Sequence, residues 1–436
     1  MIRKWNILAL MLALLLLTGC SLRTLDDLYQ VPKRSDDFND LQSAIDKNLG
    51  NLEYCAPLNG ENLQTVQMAD LDGDGVQEYL LFARGSQEKP LRILIFALKN
   101  GEYVLMDTIE SHGTAFDLVE YARMDDNPGY ELIVGCQISQ DVARSVSVYS
   151  LRQGKAVSLM SANYTKFITC DLVADDRSEL MVLRPGESDE DNGLAELYRF
   201  SDGNLARSDQ IGLSASADRL KRIELGQLQD GMAAVYVDMA EGSGSVISDV
   251  FTVVNDEFIN VTAAGETTGR DEYIYAEDID GDGVVELPRI MDMRPFANTQ
   301  TSPMQHLICW YALTSTGQRV EKLYTYHNLQ GGWYLTLNSS MADRVSVGRL
   351  GGTYTFQIWN NDFTDAQKVL TIYVLSGSDR KELAAMDNRF AIYEDDSTVY
   401  AGQLEEDAEQ LGITEEQILQ SFHLIHQDWK KQEVTK

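Results

Sequence analysis

A nine-residue acidic segment occurs twice in the chain in nearly the same form. The copies are Asp70-Leu71-Asp72-Gly73-Asp74-Gly75-Val76-Gln77-Glu78 and Asp278-Ile279-Asp280-Gly281-Asp282-Gly283-Val284-Val285-Glu286. Each sets carboxylates at positions 1, 3, 5 and 9 and glycines at positions 4 and 6. Oxygens that alternate along a tightly curled loop converge on one point, and Ca²⁺ takes roughly six to eight oxygen ligands. Gly75 and Gly283 supply the positive φ that such a curl needs. The carbonyl at position 7, Val76 or Val284, is the natural backbone ligand. Carboxylates this close together repel one another, so the pattern predicts structural Ca²⁺ sites. The competing reading is an acidic turn that binds nothing; two nine-residue matches weigh against it.

The loops need elements to hold them, and both are followed by strand-forming runs at 79–83 and 287–291. From about residue 60 the apolar pattern alternates with period two and repeats as a unit of four short strands. In the first unit these are residues 65–69, 79–83, 91–98 and 103–109, with Asn100-Gly101 as a hairpin turn. Further units start at Phe116, Lys166, Arg222 and Tyr273, the last opening on a strand at 273–277. Glu78, Glu131 and Glu179 stand 53 and 48 residues apart, and Glu286 follows after 107, the length of two more units. Four strands per ~50 residues make a propeller blade, whose stacked sheets bury one another's faces. The prediction is a mainly β fold: a β-propeller of about five four-stranded blades over residues 59–328, with more blades if the ends contribute strands.

Between the two full loops the ligand set decays. The second unit offers Arg123, Asp125, Asn127 and Glu131, where the Arg123 guanidinium could replace a cation by pairing with Asp125 and Glu131. The third offers Asp171, Asp175 and Glu179, a weaker set, and the fourth, around Gln227-Leu228-Gln229-Asp230-Gly231, offers none. About two bound Ca²⁺ ions are expected.

The ends of the chain read differently. Residues 1–19 have the form of a signal peptide, with Arg3 and Lys4 ahead of an apolar run too short to span a membrane comfortably. Leu17-Thr18-Gly19-Cys20 resembles a bacterial lipobox, which implies cleavage before Cys20, lipidation of Cys20 and anchoring to the outer face of the cytoplasmic membrane. Loss of 1–19 takes the formal charge from −32 to −34, which argues against nucleic acid and against unaided binding to anionic lipid. Residues 20–35 form a polar tether. Residues 36–58 form a helix and lead-in, with Phe38, Leu41, Ile45 and Leu49 on one face. Residues 329–436 are expected to make a smaller α+β domain, or else a last degenerate blade plus a terminal helix. It would end in a helix carrying Ile418, Phe422, Ile425 and Trp429 on one face, opened by a Thr414-Glu415-Glu416-Gln417 capping box. Cys55, Cys136, Cys170 and Cys309 lack a C-x-x-C spacing and read as free thiols, with a disulfide left open.

The order of lipobox, short helix, Asp-x-Asp-Gly-Asp-Gly loops, Gly332-Trp333-Tyr334-Leu335-Thr336-Leu337 and terminal helix resembles predicted lipoproteins of clostridia-like bacteria. Those proteins are built from FG-GAP or VCBS repeats, the integrin-alpha-N-like β-propellers. The loops also open like an EF-hand, but its position 12 glutamate is replaced by Leu81 and Arg289. The resemblance implies a propeller, an exported compartment and calcium; it carries no reaction.

No H-E-x-x-H or G-x-S-x-G motif is present, and two S-x-x-K matches, Ser86 to Lys89 and Ser378 to Lys381, fall at polar turns. His423 and His426, three apart on the expected final helix, could touch one metal, though a solvated face is the ordinary reading. A non-enzymatic surface module is therefore expected, binding a glycan, a cell-wall fragment or a protein. Trp310, Tyr311, Trp333 and Tyr334 would grip such a ligand if exposed, although strand aromatics usually pack inward. One alternative is an exported enzyme acting on carbohydrate or cell wall, betrayed by neighbouring carboxyls with pKa values held apart. Another is an accessory subunit of a membrane sensor or transporter.

Overall fold

The computed structural model describes residues 36–138, 144–188, 190–242, 244–263, 265, 267–296, 305–406, 408 and 411–425. The expected signal peptide and tether, Cys20, His426 and Trp429 lie outside the described residues.

Among the described residues, six antiparallel sheets of four or five strands follow one another. The first contains Val66–Ala69, Glu78–Arg84, Leu91–Lys99 and Glu102–Ser111, with the short strand Glu53–Tyr54 added beside Glu78–Arg84. The second runs from Ala115–Ala122 to Lys155–Asn163, the third from Lys166–Cys170 to Asn204–Gly212, and the fourth from Leu220–Gln227 to Glu257–Asn260. Each of these has its strands side by side in sequence order, so short hairpins suffice to connect them. Asn100-Gly101, Gln153-Gly154, Asp202-Gly203 and Asn255-Asp256 all have positive φ at both central residues. That is the primed turn whose twist matches the flanking strands.

Alternate residues of a strand point to opposite faces, and each sheet buries both. In the first, Leu80 and Phe82 meet Phe116, Leu132 and Val134 of the second. The opposite face, Leu81, Ala83 and Phe96, packs on helix α1 (Asp36–Leu49) through Leu41 and Ile45. The second sheet turns Ile133, Val146 and Val148 to Phe167, Leu180 and Val182 of the third. The third turns Met181 and Leu183 to Val235 and Val237 of the fourth, and the fourth turns Ala234 and Tyr236 to Leu287 and Tyr311 of the fifth. The fifth meets the sixth through Tyr326 and Trp333 against Tyr354 and Phe356. Behind the sixth, helix α2 (Arg380–Ala384) lays Ala384 on Val399 and Ala401.

The protein is therefore mainly β and propeller-like, a succession of blades stacked face to face. Helices cover the outer faces of the first and last blades, as stacked repeats require of their ends. Among the described residues no strand pairing joins the first sheet to the sixth.

Three expectations are corrected. The run 273–277 is not a strand and makes only the single bridge Glu277–Glu286. The fifth sheet grows instead at its other edge. There Trp333–Leu337 pairs with Arg319–Asn328, and Phe422–Leu424 pairs with Trp333–Leu337. That sheet crosses the boundary expected at residue 329, and strands between Val345 and Leu404 make a sixth blade, the addition from the chain's end that the count of about five left open. The last helix, α3 (Glu415–Ser421), has the expected capping box: Thr414 Oγ1 accepts from Gln417 N–H at 3.3 Å, and Gln417 Oε1 accepts from Thr414 N–H at 3.1 Å. It stops before Phe422, which becomes a strand residue. In that conformation Phe422 stacks on Trp333 and His423 on Tyr334, with centroids 5.4 and 4.9 Å apart, and Ile425 N–H reaches the Gly332 carbonyl at 2.9 Å.

Candidate metal centres

The acidic loops fold around their own carboxylates. The glutamate at position 9 is buried in four blades, and one of its oxygens accepts the N–H of position 2. The distances are 2.8 Å for Glu78–Leu71, 2.7 Å for Glu131–Met124, 2.8 Å for Glu179–Leu172 and 3.2 Å for Glu286–Ile279. At the other end the position 1 aspartate gathers the turn. Asp70 accepts from Gly73 and Gly75 at 2.8 and 3.0 Å, and Asp278 from Gly281 and Gly283, both at 2.8 Å. Gly75 and Gly283 both hold φ at +86°, as the curl demands.

This folding brings Asp70, Asp72 and Glu78 together, with one oxygen of each within 4.8 Å of the others. The same holds for Asp278, Asp280 and Asp282, and for Asp171, Asp175 and Glu179. Asp74 and Asp282 each accept the N–H of the position 7 residue, Val76 at 2.7 Å and Val284 at 2.9 Å. Glu286 is fully buried beside its trio, and its Oε1 has no partner among the described residues. These all-oxygen clusters could hold a hard metal ion.

Charge balance differs from loop to loop. Burial pushes Glu78 from the usual 4.5 up to about 7, and the nearby charges of Asp72, Asp74 and Asp70 push the same way. Among the described residues no Lys, Arg or His forms an ion pair with Asp70, Asp72, Asp74 or Glu78, whereas Lys322 does so at the second full loop. Burial, with Asp280 and Asp282 adding, raises Glu286 to about 8, but Lys322 Nζ stands 2.8 Å from Asp282 and holds that carboxyl low. In the third loop Arg177 donates to Asp175 at 2.9 Å and to Asp126 of the loop before at 2.8 Å.

The second loop corrects an expectation. Arg123 is exposed and pairs with neither Asp125 nor Glu131. Asp125 accepts instead from Arg152 at 3.1 Å and Ser150 at 3.0 Å, both on the blade's third strand. Arg152 and Lys322 were invisible to an alignment of loops because both reach in from other strands, whereas Arg177 lies within the third loop at position 7. Replacing the competing ammonium, as Lys322→Met, should tighten Ca²⁺ binding at the second full loop several-fold by calorimetric titration. An unchanged affinity would show that the ammonium and the cation do not compete.

The loops are also built into the joints between blades. The carbonyl at position 1 accepts the N–H at position 8 of the next loop: Asp70 from Tyr130 at 2.9 Å, and Arg123 from Ser178 at 2.7 Å. The Gln227 carbonyl takes the same place and accepts from Val285 at 3.1 Å. Gly129 lies so close that a Cβ there would stand 2.3 Å from the Leu71 carbonyl oxygen. These stitches use backbone groups, so they persist where the ligand side chains are lost.

The other candidates resolve into structure. Trp310, Tyr311, Trp333 and Tyr334 are all buried, so their rings serve the core. His423 sits in a strand, which removes the expected helical pairing with His426. Lys381 of one S-x-x-K match pairs with Glu394. Cys55, Cys136, Cys170 and Cys309 are free thiols.

No family model matches the chain, and no curated protein does. A crystal structure of a protein from Lactobacillus plantarum is similar at 10% identity, covering 72% of this chain and 86% of that one, with a TM-score of 0.29. A likeness that loose carries no argument.

Proposed function

We propose that this chain is a lipid-anchored, exported binding or scaffold module of the FG-GAP/VCBS propeller type, non-enzymatic and stabilised by about two Ca²⁺ ions. The lipobox-like Leu17-Thr18-Gly19-Cys20 supports export to a calcium-bearing exterior. The observation that carries the reading is the first loop. Asp70, Asp72 and Glu78 converge without a basic partner among the described residues, at a joint between two blades. A dication there would satisfy the carboxylates, with the Val76 carbonyl and Asp74 completing the shell. At the second full loop the same roles fall to Asp278, Asp280, Asp282, Glu286 and the Val284 carbonyl. The ion would do no chemistry; it would hold the turn that seats one blade on the next. The raised glutamates belong to these clusters, so they speak for cation binding rather than for a glycosidase pair. The ligand of the module is a glycan, a cell-wall fragment or a protein.

Calorimetric titration of residues 21–436 with Ca²⁺ tests the reading. Two sites are expected, the tighter lost in Asp72→Ala and the weaker in Asp280→Ala. No heat of binding in the wild type would sink it.

A further inference from the structure

The joint between the fifth and sixth blades does not close at one end. Leu335 of the fifth blade and Val345, Phe356, Ile358 and Leu370 of the sixth wall a cavity of about 300 Å³, with Ile418 of helix α3 lining it from the other side. All six are buried. Where the first blade meets the second, the space left is about 10 Å³. Native interiors pack to crystal-like density with few voids larger than a water molecule, so blade stacking alone does not account for the larger space. The helix reaches this joint because Phe422 pairs with Leu335, which sets Ser421 and Ile418 against the cavity. A well-formed apolar pocket with a few polar groups at its mouth is the usual form of a small-ligand site.

The walls select the ligand. Of the six buried residues only Phe356 is aromatic, and its ring already meets Tyr326 edge-on at 5.3 Å. The remaining walls are aliphatic and suit an alkyl chain. Water takes about 30 Å³ in the liquid and a methylene is of similar size, so the space holds a chain of about ten carbons. Among the described residues none that lines the cavity carries a charge. The chain as a whole has a formal charge of −32, and Glu415 and Glu416 of the first turn of α3 precede the rim residue Gln417. An anionic head group would meet repulsion there and no cation. The rim does carry two exposed side-chain amides. Asn338 Oδ1 accepts from Ser340 N–H at 3.0 Å, and Gln417 Oε1 accepts from Thr414 N–H at 3.1 Å. Those bonds fix the direction of each amide and leave its nitrogen to donate, since neither nitrogen has a partner among the described residues. Two donors beside an uncharged pocket suit an uncharged acceptor, the carbonyl of an ester or amide.

We infer that the cavity beside helix α3 binds the alkyl chain of a neutral, medium-length acyl ester or amide, whose carbonyl accepts from the rim amides. None of the acidic-loop residues lines it. The site therefore goes beyond the calcium reading and does not depend on a glycan or protein ligand elsewhere.

Calorimetric titration of the full chain in Ca²⁺ with monodecanoylglycerol tests this, with decanoate as the anionic control. The ester should bind at a single site, and decanoate about tenfold or more weakly. Ile413→Trp puts an indole at the half-buried rim and should abolish binding; should it fail to fold, Met341→Trp at the same rim carries the comparison. Asn338→Asp keeps the oxygen that Ser340 uses and removes the donor, so it should weaken the ester about threefold to tenfold, the effect of losing one hydrogen bond. Ester binding that survives the rim substitution overturns the site, and decanoate binding as tightly as the ester overturns the choice of a neutral head. No heat with the ester from a chain that melts cooperatively overturns the inference, whatever the Ca²⁺ titration shows.

Discussion

Withdrawing Ca²⁺ should lower the melting temperature, and the loss should grow as the pH is raised from about 5 to about 8. A site held at about 100 times its Kd contributes about 2.7 kcal/mol to stability by mass action, so chelation should remove roughly that much per loop. Asp72→Ala and Asp280→Ala should each abolish one share, and the double variant should melt alike with and without Ca²⁺. The pH dependence follows from Glu78 and Glu286. Burial raises their carboxyls from 4.5 to about 7 and about 8 in the folded protein. Without metal the folded state keeps protons that the unfolded chain gives up above 4.5. The metal-free protein is then most stable below that value and loses stability as pH climbs through the folded pKa values. Ca²⁺ binds the ionised carboxylates, so it replaces the protons and its benefit is largest where the apo protein is weakest. Melts in chelator and in Ca²⁺ at the two ends of the window provide the check. Parallel curves across the whole range would contradict the assignment of these glutamates to the metal shell.

The strands of the first four blades were legible because two independent signals agreed. Period-two apolar runs marked the strands, and pairs such as Asn100-Gly101 marked the turns with the positive φ that the structure shows at both residues. The acidic loops were legible for the same reason: their ligands are local, nine residues from first to last. What could not be read was non-local. Arg152 reaches Asp125 from 27 residues away and Lys322 reaches Asp282 from 40, so nothing in the loop itself announces either. The fifth blade defeated the pattern because Tyr273, Ile274 and Tyr275 look like a strand but have no ladder to join. Trp333–Leu337 supplies the missing strand at the opposite edge. Phe422 has a helical pattern on both sides, yet stacking on Trp333 and pairing with Leu335 outweigh it. Local propensity yields wherever tertiary burial offers more.

The costliest substitution should be Arg270→Met, which is expected to destabilise the fold by about 3–5 kcal/mol because it strands a buried charge. Arg270 and Asp238 form an ion pair at 2.8 Å whose side chains are 2% and 1% exposed. The pair is fully engaged. Arg270 also donates to Ser248 Oγ at 2.8 Å, to the Thr268 carbonyl at 3.1 Å and to the Ile274 carbonyl. Asp238 accepts from Ser248 and from Ala276 N–H, the latter at 2.9 Å. This network takes the place of the ladder that 273–277 does not form, binding that segment to the fourth blade. Methionine fills most of the volume but leaves Asp238 without its counter-charge. Arg270→Met with Asp238→Leu should recover part of the loss, since the pair is then removed whole, although Ala276 N–H and Ser248 lose their acceptor. Two residues beyond Ala276 the chain enters the second calcium loop at Asp278. Loosening the segment should therefore weaken Ca²⁺ at that loop and spare the first, where Asp70 and its partners belong to a different joint. Chemical unfolding read beside a Ca²⁺ titration separates the two effects. A variant with wild-type stability would mean that the segment is held by its apolar contacts alone. A variant that lost both sites equally would mean that the blades unfold together rather than at the joint.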